Sequence, residues 1–253
     1  MRIRILGNAG EVDLGSFATS FLVDETLAVD AGSLGFALPL AAQRRVTDVL
    51  ITHAHLDHVC SLPIFLENVY EPDGEPVRIH AHRDVAAELR RHLFNDRIWP
   101  DFERLSSEGH PFLEFREFAQ ERPFRIGEIE VTPLSVIHTV RCFGFLLRKG
   151  DRSALIVGDT APTRRIWERA RTAPGLSHVF LEASFPDRLA AMAQTTKHLT
   201  PSRLREEKAK VGGDVKVIAY HLKARYADEI AAEIRALGDP AVEVARTNED
   251  YSI

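Results

Sequence analysis

The chain has 253 residues, 45% of them hydrophobic and 27% charged, which fits one large globular domain over residues 1–253 with a core more than one layer deep. A formal charge of −5 argues against nucleic acid as a long polyanionic partner, although a small anion drawn in by bound metals stays open. Cys60 and Cys142 form no C-x-x-C pair, which argues against a disulfide framework, and no apolar run approaches a membrane span, so the cytoplasm is the expected location.

In chain order, residues 3–6 read as a first strand, too short for a signal-sequence core. Residues 20–23 and 27–30 flank Asp24-Glu25-Thr26 as a hairpin. Residues 34–45 have helical spacing, and 49–51 form a short buried strand. Then comes Thr52-His53-Ala54-His55-Leu56-Asp57-His58. A strand that delivers H-x-H-x-D-H into a loop offers one segment's ligands to two metal ions. Neutral imidazole suits zinc and its neighbours, and a carboxylate suits a second, harder site. Two metals roughly 3.5–4 Å apart can share a hydroxide and clamp a substrate oxygen.

Downstream, the pattern predicts a helix through Pro63 to Glu67, a strand over 77–80 and a helix over 84–94 capped by Asp84. Residues 95–109 mix aromatics with charge and read as a functional loop or lid, in which Trp99 and Phe102 either anchor the loop or stack on a base. Strands are predicted at 112–118, 128–131, 134–137, 143–148, 154–157, 178–182 and 215–220, with helices at 162–171, 201–211 and 228–237. The picture is two packed sheets with helices outside. His80 and His82 read as structural or surface groups, while His92, His110 and His178 have no legible partner.

Two metals need about three to four ligands each, more than the loop supplies. Three further candidates stand at strand ends: His138, Asp159 after Gly158, and His221. Alone, each has a plain alternative, such as a hydrogen-bonded core histidine or, for Asp159, a helix cap. Gly158 permits a close backbone approach to a ligand.

The order H-x-H-x-D-H, His, Gly-Asp, His resembles the ligand set of the metallo-β-lactamase superfamily and spans most of the chain. The resemblance implies an α/β fold, a four-layer αβ/βα sandwich with a dinuclear site at the sheet edge. It implies His53, His55 and His138 on one metal, Asp57, His58 and His221 on the other, and Asp159 bridging. Zinc is the usual metal in such sites, with manganese or iron as alternatives, and dimers are common among such proteins, so a homodimer is open.

Glu182 at a strand end and His198 before Leu199-Thr200-Pro201 look like the phosphodiesterase-type branch, which includes class II cyclic-nucleotide phosphodiesterases and ribonuclease Z. His-Leu-Thr-Pro, Asn8-Ala9-Gly10 and Gly158-Asp159-Thr160 are similar to the former, and Tyr226 after His221 to the latter. Lys197 departs from the pattern, since glycine is usual there, and Val59-Cys60-Ser61 replaces small glycines. Thr200 suits an N-cap and Pro201 the first helical position, so the exposed N–H groups of that helix favour a phosphate. The expected activity is metal-assisted hydrolysis of a small-molecule phosphodiester, a 3′,5′-cyclic nucleotide first, with Asp57, His198 and Glu182 in catalytic roles. RNA cleavage, hydrolysis of a lactone, thioester or β-lactam, and a zinc-binding module without activity are the alternatives.

Overall fold

The computed structural model describes residues 1–9 and 17–253. Of the resembling segment Asn8-Ala9-Gly10, Gly10 lies outside them. The first sheet comprises β1 (Arg2–Gly7), β2 (Ser20–Val23), β3 (Leu27–Val29), β4 (Asp48–Leu50), β5 (Val77–His82), β6 (Leu113–Phe118) and the C-terminal β14 (Asp250–Ser252), in the order β14-β1-β2-β3-β4-β5-β6. The second comprises β7 (Phe124–Ile126), β8 (Ile129–Ser135), β9 (Phe143–Lys149), β10 (Arg152–Ile156), β11 (Leu176–Glu182), β12 (Lys216–Tyr220) and β13 (Val242–Val244), in the order β13-β12-β11-β10-β9-β8-β7.

Alternation along the strands builds four layers. Leu27 and Val29 face the space between the sheets, and Ala28 faces outward; Phe180 and Ile218 face inward, and Val179 and Val217 outward. The inner cluster joins Phe21, Val29 and Leu50 to Phe145, Ile156 and Phe180. Each such side chain contributes about 1.5–3 kcal/mol when fully buried. Outside the first sheet lie α1 (Leu34–Ala37), α2 (Leu40–Gln43), α3 (Leu56–Val59), α4 (Leu62–Val69), α5 (Arg83–His92) and α6 (Phe102–Ser107). Outside the second lie α7 (Arg165–Ala170), α8 (Ala190–Thr196), α9 (Pro201–Val211) and α10 (Ala227–Ala236). Trp167, Leu204 and Ile230 pack there against Leu155, Val179 and Val217. This is the expected αβ/βα sandwich.

Several elements differ from expectation, each for a local reason. The helix predicted over 34–45 breaks in two because Pro39 forces Leu38 into an extended conformation (φ −112°, ψ 142°). Asp84 does not cap α5; His82 does, its Nδ1 accepting from the Asp84 N–H at 3.3 Å. The two strands expected at 128–131 and 134–137 are one strand, β8. Pro133 is tolerated because it sits beyond the residues that pair with β7; there its carbonyl accepts from the Glu121 N–H at 2.8 Å, and no ladder bond calls on the N–H that proline lacks. The expected lid at 95–109 contains α6, capped by Asp101, whose side chain accepts from the Arg104 N–H at 2.9 Å. Phe102 is buried and stacks on Phe112 at 4.1 Å, and Trp99 packs against the same cluster, so these aromatics anchor the segment to the first sheet. Among the described residues, no helix is long and apolar enough to cross a membrane.

Candidate metal centre

One edge of the sandwich collects the predicted residues. β8 and β10 both run antiparallel to β9, and β11 and β12 run parallel to β10. Hence β8, β10, β11 and β12 end on the same edge, and His138, Asp159, Glu182 and His221 follow or close those ends. From the first sheet, β4 leads into Thr52, whose N–H and hydroxyl both donate to Asp30 at 2.8–3.0 Å. The His-rich segment was expected as a loop; its second half is α3, with His55 as N-cap, which turns Asp57 and His58 inward. Gly32 lets that turn approach, since a Cβ there would lie 2.1 Å from the Asp57 carbonyl. Asp30 (φ 58°) and His221 (φ 60°) both sit in the left-handed region, a cost of about 1–3 kcal/mol each that the surrounding structure sustains.

The seven residues converge. Donor atoms of His53, His55, His138 and Asp159 lie within 4.8 Å of one another, as do those of Asp57, His58 and His221. Asp159 Oδ2 is 3.7 Å from His53 Nε2, 3.4 Å from His58 Nε2, 3.4 Å from His221 Nε2 and 4.0 Å from His138 Nε2, so it stands between the two groups. His58 Nε2 and His221 Nε2 face each other at 3.1 Å, and His138 Nε2 faces His55 Nδ1 at 3.1 Å. Two nitrogens bound to one tetrahedral zinc at about 2.0–2.1 Å would stand roughly 3.3 Å apart. His53 Nε2 and Asp159 Oδ1 are buried without a hydrogen-bond partner among the described residues. Orphaned buried polar atoms of this kind cost free energy unless something pairs with them. The nitrogen and carboxylate set therefore fits divalent cations.

The far side of each ring is fixed as well. His58 Nδ1 meets Asp30 Oδ2 at 2.7 Å, His53 Nδ1 meets the Thr52 hydroxyl at 2.9 Å, His221 Nδ1 meets the Ser184 hydroxyl at 2.9 Å, and His138 Nδ1 donates to the Lys197 carbonyl at 3.2 Å. Such partners orient rings for metal binding. Burial pushes His53 well below the ordinary histidine range and His138 to about 4, so both rings keep free electron pairs at neutral pH. Burial opposes charge on Asp159 and His58 too. The imidazoles of His221 and His58 nonetheless hold Asp159 well below the usual carboxylate range, and Asp159 with Asp30 raises His58. The centre calls for positive charge, from protons or metal ions.

His198 and Glu182 also meet here. His198 Nδ1 lies 2.8 Å from Glu182 Oε1, and its ring stacks on His221 with centroids 5.5 Å apart. Glu182 is fully buried and accepts from the Thr160, Ser184 and Leu199 N–H groups at 3.0–3.2 Å. Burial alone would lower His198; the Glu182 carboxylate outweighs it and raises the ring. Ser184, which sequence reasoning passed over, ties the group together. Its hydroxyl donates to Glu182 Oε2 at 2.7 Å and also lies 3.2 Å from His198 Nδ1.

Two expectations are corrected. The close approach at Gly158 is to β9, not to a ligand: a Cβ there would lie 2.5 Å from the Phe143 carbonyl. The start of α9 is not free for a phosphate. Thr200 makes no side-chain cap, Pro201 has no N–H, and Asp187 accepts from the Ser202 N–H at 3.0 Å and its hydroxyl at 2.6 Å. A carboxylate already occupies the anion position at that helix end.

A family model described as the beta-lactamase superfamily domain matches residues 24–222. The chain belongs to that superfamily. Within it, a probable 3′,5′-cyclic-nucleotide phosphodiesterase of Yersinia pestis is 27% identical over 225 residues, covering 78% of this chain and 63% of that protein. The 3′,5′-cyclic-nucleotide phosphodiesterase 1 of Saccharomyces cerevisiae is 39% identical over 57 residues, 22% of this chain and 15% of the yeast protein. The chain thus spans less than two thirds of the length of either. The crystal structure of unliganded yeast PDE1 aligns with a TM-score of 0.83 over 98% of both chains at 19% identity, a likeness of fold.

Proposed function

We propose that this chain hydrolyses phosphodiesters, with a 3′,5′-cyclic nucleotide as substrate. The observation that carries the reading is the Glu182–His198 pair set against the Asp159-centred cluster, an acid–base couple beside a site built for cations. In this reading His53, His55 and His138 would hold one ion and Asp57, His58 and His221 a second, with the Asp159 carboxylate available to either. Zinc is the first choice on donor chemistry, with manganese or iron as alternatives. When bound, such ions supply an activated water and polarise the phosphoryl oxygens.

The chain's own groups do the rest. Glu182 holds His198 through Nδ1 and favours its charged form, which leaves Nε2 to donate a proton to the departing 3′ oxygen. The charged ring also offsets negative charge that grows on the phosphoryl group. Buried neighbours exclude water behind the rings and keep their tautomers fixed. The relatives named as cyclic-nucleotide phosphodiesterases support the substrate class.

The test is turnover of cyclic AMP by zinc- or manganese-loaded protein, with Asp57→Ala and His198→Ala beside it. AMP should form, Asp57→Ala should lose metal and activity together, and His198→Ala should keep its metal while turnover falls about 10²–10⁴-fold. No AMP from protein with two ions bound would move the substrate to RNA ends or acyl compounds. Full activity in His198→Ala would remove the proton-donor role.

A further inference from the structure

A cavity of about 460 Å³ opens directly beside His198. Its walls come from three places: Ala161 and Pro162 just after Asp159, Ala191 and Gln194 on α8, and Arg203 on α9. The size is that of a small-molecule site, and so is the make-up, mostly apolar with a few polar groups. Alanine and proline give a low, smooth wall that a flat ring can lie against. Among the described residues the lining holds no carboxylate, which disfavours a cationic ligand.

Position decides what enters. The His198 ring lies with its centroid 5.0 Å from that of His138 and 5.5 Å from that of His221. A phosphoryl group at the Asp159 cluster would therefore have its ester substituent next to His198, at the mouth of this cavity. A nucleobase has apolar faces and a polar edge. Gln194 carries both a donor and an acceptor, the combination that pairs with the N6/N7 edge of adenine, and a guanidinium pairs with the O6/N7 edge of guanine. Arg203 is half exposed and already bonded to Glu206 at 2.6 Å, so Gln194 is the freer of the two.

We propose that this cavity is the slot for the purine base of the substrate, with Gln194 and Arg203 setting the choice between adenine and guanine. The proposal rests on the phosphodiester reading of the same site. Ala191 and Gln194 are exposed on α8, so replacing them leaves the core untouched.

The experiment uses the metal-loaded full chain and compares Ala191→Trp and Gln194→Ala with the parent. It measures kcat and KM for cyclic AMP, cyclic GMP and bis(4-nitrophenyl) phosphate, and AMP affinity by calorimetry. Ala191→Trp should raise KM for both cyclic nucleotides and weaken AMP at least tenfold. The ratio of kcat/KM for cyclic AMP to that for bis(4-nitrophenyl) phosphate should fall by a similar factor. Gln194→Ala should shift the cyclic AMP to cyclic GMP preference at least fivefold. AMP affinity and KM within twofold of the parent in Ala191→Trp would overturn the slot. A parent that cleaves bis(4-nitrophenyl) phosphate but neither cleaves cyclic nucleotides nor binds AMP would overturn it too, while the metal-hydrolase reading stands. A parent inert to every phosphodiester overturns that reading instead; the slot is then judged on AMP binding, and indifference to Ala191→Trp rejects it.

Discussion

At the scale of single residues, Ser184 concentrates the most consequence in the fewest atoms. Its hydroxyl touches Glu182, His198 and His221, and its burial excludes water as a substitute. Ser184→Ala takes the hydroxyl partner from His221 Nδ1, at about 1–3 kcal/mol, while Glu182 Oε2 keeps its bonds from the Ser184 and Leu199 N–H groups. Loss of an outer partner to a metal-binding histidine typically costs 10–100-fold in affinity. We expect zinc affinity of Ser184→Ala, measured by competition with a chelator, to fall in that range, with Ser184→Thr recovering part of it. Parent-like affinity in Ser184→Ala would show the hydroxyl to be incidental. The His-rich motif was legible because histidine is scarce and its spacing narrow. Ser184 was not, since serine occurs everywhere and its role depends on His198 and His221, which come from other segments of the chain. Lys197 makes the reverse case. The glycine expected there reflects a left-handed backbone, and Lys197 does adopt φ 58°. It accepts that strain while its Nζ donates to the His138 carbonyl at 3.0 Å.

At the scale of elements, β4 and β5 are joined by a polar clasp as well as by their ladder. Asp48 pairs in register with Arg78, and its carboxylate accepts from Arg78 Nη2 at 2.6 Å and from His80 Nε2 at 2.7 Å. Burial alone would raise the Asp48 pKa; the bonds from His80, Arg78 and Thr47 outweigh it and hold the carboxyl below its ordinary range. A depressed folded-state pKa means the stability is present above the unfolded value of about 3.9 and is lost as pH falls below it. Asp48→Asn should therefore destabilise by about 2 kcal/mol at pH 7 in urea unfolding, a difference that shrinks below about pH 4. A difference constant from pH 7 to pH 3 would assign the effect to packing. Sequence periodicity found the long strands and α9 but missed β7, β13, β14, α3 and α8. Three-residue strands and a four-residue helix are too short to display a period. In α8 only Ala193 is buried, so there is no apolar stripe to read.

At the scale of the whole molecule, the cluster draws on both halves of the sandwich. His53, His55, Asp57 and His58 hang from the first sheet; His138, Asp159 and His221 hang from the second. An ion held between them would cross-link the two layers and pair with the buried His53 Nε2 and Asp159 Oδ1, which have no hydrogen-bond partner among the described residues. Binding to the folded state alone stabilises by RT ln(1 + [L]/Kd), about 2.7 kcal/mol at a hundredfold excess over Kd. For a chain of this size each kcal/mol moves the midpoint by about 2–4 °C. Chelator treatment should thus lower Tm by about 5–10 °C. Added zinc should restore it along a curve that rises with the logarithm of free metal. Asp159→Asn, which weakens both donor groups at once, should flatten that curve. His92→Ala, exposed at the end of α5 and paired with Glu88 at 3.2 Å, should leave it intact. A melting point indifferent to zinc over the range in which zinc binds would mean that the ions sit on a surface the fold does not share.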